Sequence, residues 1–202
     1  MKSAAAAPAR TGRARSTSAD QLGEIGLALI IERGFDSVTV DDIAAAAGIG
    51  RRTFFRYFPS KNDLPWGDFD ALLDRMRSHL AEVPDDMPLA EALREAIIEF
   101  NSFPDDALSQ HRQRMAVLLE TPTLVAHSAL RYADWRRVIA DFTAARMGFG
   151  ADSVGADTIA RTCLAVSLAA YQCWLADPDA SLIDLINEGF DDLGAVFGGS
   201  PS

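Results

Sequence analysis

Thr39 to Lys61 reads TVDDIAAAAGIGRRTFFRYFPSK, and its punctuation decides how this chain folds. Thr39 is a good N-cap and Asp42, three residues on, completes an acidic variant of the capping box, so a helix starts here with its first donors satisfied. Alanines 44 to 47 carry it to Gly48, a natural helix-ending residue. After Ile49 and Gly50 a second short helix runs from Arg51 to about Phe58, where Pro59 and Ser60 stop it. Two short helices joined by a glycine-bearing turn form a helix-turn-helix.

Upstream, Leu22, Ile25, Leu29 and Ile30 repeat at helical spacing and end at Gly34, which gives a first helix. Residues 1 to 17, rich in Ala, Pro, Arg, Ser and Thr without an apolar face, read as a disordered basic tail. Downstream, Ser60 and Asp63 offer a second capping box for a fourth helix that continues through Ala71, Leu72, Met76 and Leu80. Pro65 removes an intrahelical hydrogen bond and Gly67 weakens the next turn, so this helix is expected to kink near Leu64 to Trp66. Pro88 to Phe103 carries one apolar stripe and stops at Pro104, and residues 105 to 120 are amphipathic. Thr121-Pro122 opens a helix that runs to Gly148, and two apolar helices follow over about 156 to 176 and 181 to 197. No alternating β-branched run interrupts the order, so the expectation is an all-α chain of about nine helices.

With 202 residues, 49% hydrophobic and 24% charged, the chain is long enough for a sizeable core and too apolar to be disordered over most of its length. Arg, Asp or Glu is expected to punctuate every apolar run short of a membrane span, and the first 19 residues lack the apolar middle of a signal peptide. A cytoplasmic protein is therefore expected. Cys163 and Cys173 are ten apart in one helical pattern, too far for a disulfide, and read as core residues. The net charge of -10 conceals a split: residues 1 to 66 hold nine Lys and Arg against seven acids, residues 67 to 202 ten against 22. Such asymmetry hints at a nucleic-acid-binding end.

Catalytic chemistry finds no support. His79, His111 and His127 lie in separate segments without a metal-binding spacing, and the two cysteines form no metal pattern. Gly48-Ile49-Gly50 lacks the third glycine of a dinucleotide fingerprint and follows a helix, and no GxSxG is present. Neither enzyme, metal nor cofactor is expected. A helical adaptor bundle would explain the acidic C-terminal part but not the arginines of the short helix.

The T-V-x-D-I-A start, the A-G-I turn, the T-F-F-R-Y-F helix and the P-S-K that follows resemble the DNA-binding domain of the tetracycline-repressor (TetR) family over roughly residues 18 to 78. The resemblance implies three parts: the tail, a helix-turn-helix domain over 18–78, and an effector-binding and dimerisation domain over 79–202. It implies a ligand-responsive regulator, by default a repressor, that binds double-stranded operator DNA as a homodimer paired through its last two helices. A recognition helix enters the major groove with the side chains near its start against base edges. Gly50, Arg51, Arg52, Phe55 and Arg56 fall there: the arginines suit guanine and the Phe55 ring a thymine methyl, although Arg52 reads equally as a solvated charge. Thr39, Thr53, Tyr57 and Lys61 match positions that hold the phosphate backbone in the family. Phe54 and Phe58 read as core of the small domain.

The longer stretch GIGRRTFFRYFPSKNDLPWGDFDALLDRM is similar to a subgroup of these regulators found with mycofactocin biosynthesis. That similarity implies control of a peptide-derived redox-cofactor gene cluster and a fatty acyl-coenzyme A effector; control of an unrelated efflux or catabolic operon through another apolar effector stays open. Phe100, Phe103, Met115, Tyr132, Trp135, Tyr171 and Trp174 are enough aromatic and apolar surface to line an effector cavity, and each reads also as plain core. In the family the fourth helix links that cavity to the DNA-binding head, so the Pro65 kink is either a hinge or a simple bend.

Overall fold

The structure, a computed structural model, describes residues 18–150 and 152–198. The basic tail read over 1–17 lies outside the described residues. Among the described residues nine α-helices follow in order: α1 (Ala19–Arg33), α2 (Val40–Ala46), α3 (Arg51–Tyr57), α4 (Phe69–Glu82), α5 (Leu89–Phe100), α6 (Asp105–Glu120), α7 (Pro122–Met147), α8 (Val154–Ala176) and α9 (Leu182–Phe197). A 3-10 helix, Lys61–Trp66, separates α3 from α4, and among the described residues there is no strand.

Local hydrogen bonding accounts for the head, α1 to α3. The Thr39 N–H donates to Asp42 Oδ2 (2.8 Å) and the Asp42 N–H to Thr39 Oγ1 (3.1 Å), a reciprocal box that starts α2. Ser18 and Gln21 form the same device at the start of α1. Leu22, Leu27, Ile30, Ile43 and Phe54 are buried together, and Phe58 closes the cluster. At Gly26 an added Cβ would stand 2.3 Å from Leu64 Cδ1, so the missing side chain is what lets α1 lie against the 3-10 helix.

The fourth helix departs from expectation. Ser60 does cap, accepting from the Asn62 N–H (3.2 Å) and donating to Asp63 Oδ2 (2.7 Å), but the element it opens is the 3-10 helix. Pro65 has no N–H to continue an α-ladder, and the chain reverses at Gly67 with φ 59 before Asp68 caps α4 afresh through the Ala71 N–H (3.1 Å). The joint is thus a break between two elements rather than a kink within one. The helix expected to reach Phe103 also stops early: Asn101 Nδ2 turns back to the Ile97 carbonyl (2.7 Å) and ends α5 at Phe100.

Beyond the joint, α4 packs on α5, and α7 packs on α6 and α8, with α9 against α8. Met76, Ile97, Leu124, Ile139 and Ile186 form the buried heart of this bundle, in one cluster with the core of the head. By length and composition α8 alone among the described helices could cross a membrane, since residues 162–176 carry no charge; this corrects the expectation that charges punctuate every apolar run. It packs against α6, α7 and α9. Cys163 is buried, its thiol pushed up to about 12 by burial, whereas Cys173 is exposed and not the core residue expected. Ten residues at about 100° each leave the two side chains on different faces of the helix.

Candidate nucleic-acid interface and ligand cavity

The outer face of the head is made by α3. Gly50, its N-cap, has no neighbour within 4 Å of where a Cβ would be, so the backbone at the helix start is open to approach. Arg51 and Arg52 follow on the exposed side with Phe55 and Arg56 one turn on. Arg51 Nη1 reaches Asp41 of α2 (3.0 Å) and its guanidinium lies 5.6 Å from the centre of the Phe55 ring. Phe55 is 44% exposed, an apolar ring held outward while its neighbour Phe54 is fully buried. Arg56 Nη2 donates to the Tyr57 hydroxyl (3.1 Å) and the guanidinium covers that ring at 4.9 Å. Thr39 lies exposed at the α2 start, Thr53 half-buried in α3.

Lys61 has a different surrounding. Its Nζ donates to the carbonyls of Phe35 (2.7 Å) and Val38 (2.8 Å) and rests 4.0 Å from the Phe35 ring centre, pinning the α1–α2 loop; burial lowers its pKa. Two of the three protons of this ammonium are thereby engaged inside the head.

A cavity of about 870 Å³ opens between head and bundle. Gly23, Tyr57 and Phe58 of the head, Trp66 and Phe69 of the joint, and Phe100, Phe103, Met115, Tyr132, Trp135 and Tyr171 of the bundle border it. Six of the seven apolar residues singled out in the bundle are thus brought together. Trp174 is not on the wall: it is buried behind it, with the Arg112 guanidinium 4.0 Å above its ring and His111 5.8 Å to one side.

Sequence reasoning missed the polar wall. Asn101 Nδ2 is committed to the Ile97 carbonyl, so its Oδ1 faces Tyr171 and accepts from the Tyr171 hydroxyl (2.8 Å). The Tyr171 oxygen then accepts from His111 Nε2 (2.8 Å), which fixes the neutral tautomer with its proton on Nε2. His111 stacks on Phe103 at 3.8 Å, and burial, with the charge of Arg114, lowers its pKa to about 4. Tyr171 is pushed up by burial. His111 and Tyr171 are 60 residues apart and Asn101 and Tyr171 70, so no local spacing pointed to the chain.

The joint is clamped from the bundle. Arg114 of α6 donates to the Pro65 carbonyl (2.8 Å), while His127 (3.3 Å) and Arg131 (3.1 Å) of α7 both reach Asp63 Oδ1, and Arg131 also reaches Asp70 (3.3 Å). Burial would raise the Asp63 pKa, but hydrogen bonds from Ser60, His127 and Arg131 hold it below its ordinary value.

An exposed arginine-bearing recognition helix set over a cavity that reaches the opposite domain is the arrangement of a DNA-binding regulator with a ligand site. Residues 24–64 match the family described as bacterial regulatory proteins, tetR family, and residues 87–198 the family described as MftR C-terminal domain. The chain belongs to the TetR family and is a DNA-binding transcription regulator, not an enzyme. More narrowly, it is 44% identical over 186 residues to a Mycobacterium tuberculosis protein named as the mycofactocin biosynthesis transcriptional regulator MftR, covering 92% of this chain and 94% of that one. Among solved structures, the Thermus thermophilus repressor FadR in complex with lauroyl-CoA shares the fold with TM-score 0.58 and 20% identity, over 87% of this chain and 93% of that one. A TetR-family regulator from Syntrophomonas wolfei does so with TM-score 0.65 and 16% identity, over 91% and 96%.

Proposed function

We propose that this regulator is a cytoplasmic homodimeric repressor that controls a mycofactocin-related gene cluster and leaves its operator when a fatty acyl-coenzyme A fills the cavity between head and bundle. The observation that carries this reading is the shared wall: Tyr57 and Phe58 of the head and Tyr171 of α8 border the same space. A ligand there touches both parts at once, which is what an effector needs in order to bind two states with different affinity. In this reading 18–78 is the DNA-binding domain and 79–202 the effector and dimerisation domain. Gly50, Arg51, Arg52, Phe55 and Arg56 meet base edges, and Thr39, Thr53, Tyr57 and Lys61 meet phosphates.

The likeness to MftR supports the gene cluster, and the lauroyl-CoA bound to the T. thermophilus FadR of the same fold supports the effector class. Dimerisation through α8 and α9 is supported by the large apolar side chains left outside, Val154 at the start of α8 and Val196 and Phe197 at the end of α9. Two-fold symmetry then requires a near-palindromic site. A footprint of the purified protein on the intergenic DNA beside its gene, with and without a long-chain acyl-coenzyme A, tests the whole: two protected half-sites that fade with the ester support it, and protection nowhere on that DNA overturns it.

A further inference from the structure

Two side chains on the cavity wall hold hydrogen-bond donors that the rest of the described protein does not use. Trp66, the last residue of the 3-10 helix, is 93% buried, and its Nε1–H has no acceptor among the described residues. Tyr132 of α7 meets it edge-on, ring centres 5.7 Å apart at 80°, and its buried hydroxyl also makes no hydrogen bond. The neighbouring Ser128 gives its hydroxyl proton to the Leu124 carbonyl (2.8 Å), so toward the phenol its oxygen can only accept and the Tyr132 hydroxyl is left as a donor. An indole N–H can only donate, and buried donors are as a rule paired. By contrast Asn101, His111 and Tyr171 on the same wall satisfy one another.

We propose that Trp66 Nε1–H, with the Tyr132 hydroxyl as second donor, is a specificity-determining subsite that recognises a carbonyl oxygen on an otherwise apolar ligand. A carbonyl oxygen has two lone pairs and so accepts from both rings, while the surrounding Phe69, Phe100 and Trp135 receive the hydrocarbon part. The inference rests on the reading of the cavity as the effector site and deepens it. Trp66 directly precedes Gly67, where the chain breaks between head and bundle, so capture of the ligand's oxygen is made on the segment that joins them.

The test uses full-length protein labelled with 15N-tryptophan, whose three indole resonances are assigned through Trp66→Phe, Trp135→Phe and Trp174→Phe. The probes are octanoyl-N-acetylcysteamine, a thioester; S-octyl-N-acetylcysteamine, the thioether lacking only the carbonyl; and 2-undecanone, a carbonyl without sulfur. The thioester and the ketone are expected to move the Trp66 indole proton downfield, and the thioester to bind about fivefold tighter than the thioether, as one buried hydrogen bond requires. In Tyr132→Phe, which keeps the ring, that preference is expected to shrink, in folded Trp66→Phe to shrink further, and in the folded double variant to vanish. Equal affinity for thioester and thioether, a Trp66 resonance that stays still on saturation, or no binding by either carbonyl probe overturns the subsite. Release of DNA by acyl-coenzyme A with an unmoved Trp66 would leave the effector reading standing and this inference refuted, and the converse result would separate them the other way.

Discussion

Arg51, Arg52 and Arg56 stand on the outside of a seven-residue helix, whereas Asn101, His111 and Tyr171 meet inside the bundle from the end of α5, from α6 and from α8. The head presents its chemistry through local structure: a cap three residues away and a turn of four residues set which side chains face outward. The bundle presents its chemistry through long-range packing, so the same residue type has a role only after folding. Stability and specificity should therefore respond differently in the two regions.

The largest effect is expected in the head's core. Phe54→Ala removes a fully buried ring beneath the recognition helix and should cost about 4 kcal/mol, measured by urea unfolding. A loss below about 1 kcal/mol would mean that α3 is not held from below by this residue.

Acid should act on the bundle instead. The unfolded chain takes a proton on His111 as pH falls below 6.5, while the folded protein resists until about 4, because burial disfavours the charged ring. Stability contributed by neutral His111 is thus complete above pH 6.5 and lost between 6.5 and 4, roughly 3 kcal/mol at the acid end. His111→Gln, which can still donate to Tyr171, should flatten that limb. Unfolding curves at pH 7 and 4.5 that shift equally in wild type and variant would contradict the assignment.

How legible each region was follows from the same contrast. The Thr39 box, the turn at Gly48 and the limits of α3 were readable because every partner lies within four residues. The burial of Phe54 beside the exposure of Phe55 followed from helix periodicity. Pro65 and Gly67 signalled a disturbance, but not that a 3-10 helix would end and a new N-cap at Asp68 would start α4, since a proline is tolerated in either outcome. Six cavity-wall residues were picked out because five of them are aromatics and Met115 is a large apolar side chain, types that gather where a bundle leaves space. Trp174 was misplaced and Trp66, Asn101 and His111 were missed because which side chains look inward is set by neighbours 60 or more residues away.

Smaller effects separate base reading from backbone holding within the head. Arg51→Ala should weaken operator binding by about 1 to 3 kcal/mol and relax preference at one base pair, whereas Tyr57→Phe should weaken all sequences alike. Competition assays on operators varied one base pair at a time distinguish these outcomes, and unchanged affinity and preference in Arg51→Ala would move the recognition surface. Smallest of all, Thr39→Ala should cost about 1 kcal/mol of stability by opening the α2 box, readable as a lowered thermal midpoint.

The central claim is that occupancy of the cavity between head and bundle governs the hold of α3 on DNA. Leu168 lies half-buried on the cavity wall, and Leu168→Trp would fill that space without touching the head. The direct measurement is fluorescence anisotropy of labelled operator DNA bound to wild type or to this variant, titrated with a long-chain acyl-coenzyme A and with free coenzyme A as control. The ester should weaken wild-type binding about 5 to 150-fold and leave the variant's affinity nearly unchanged. Equal release from both proteins would place the effector outside the cavity and contradict the account.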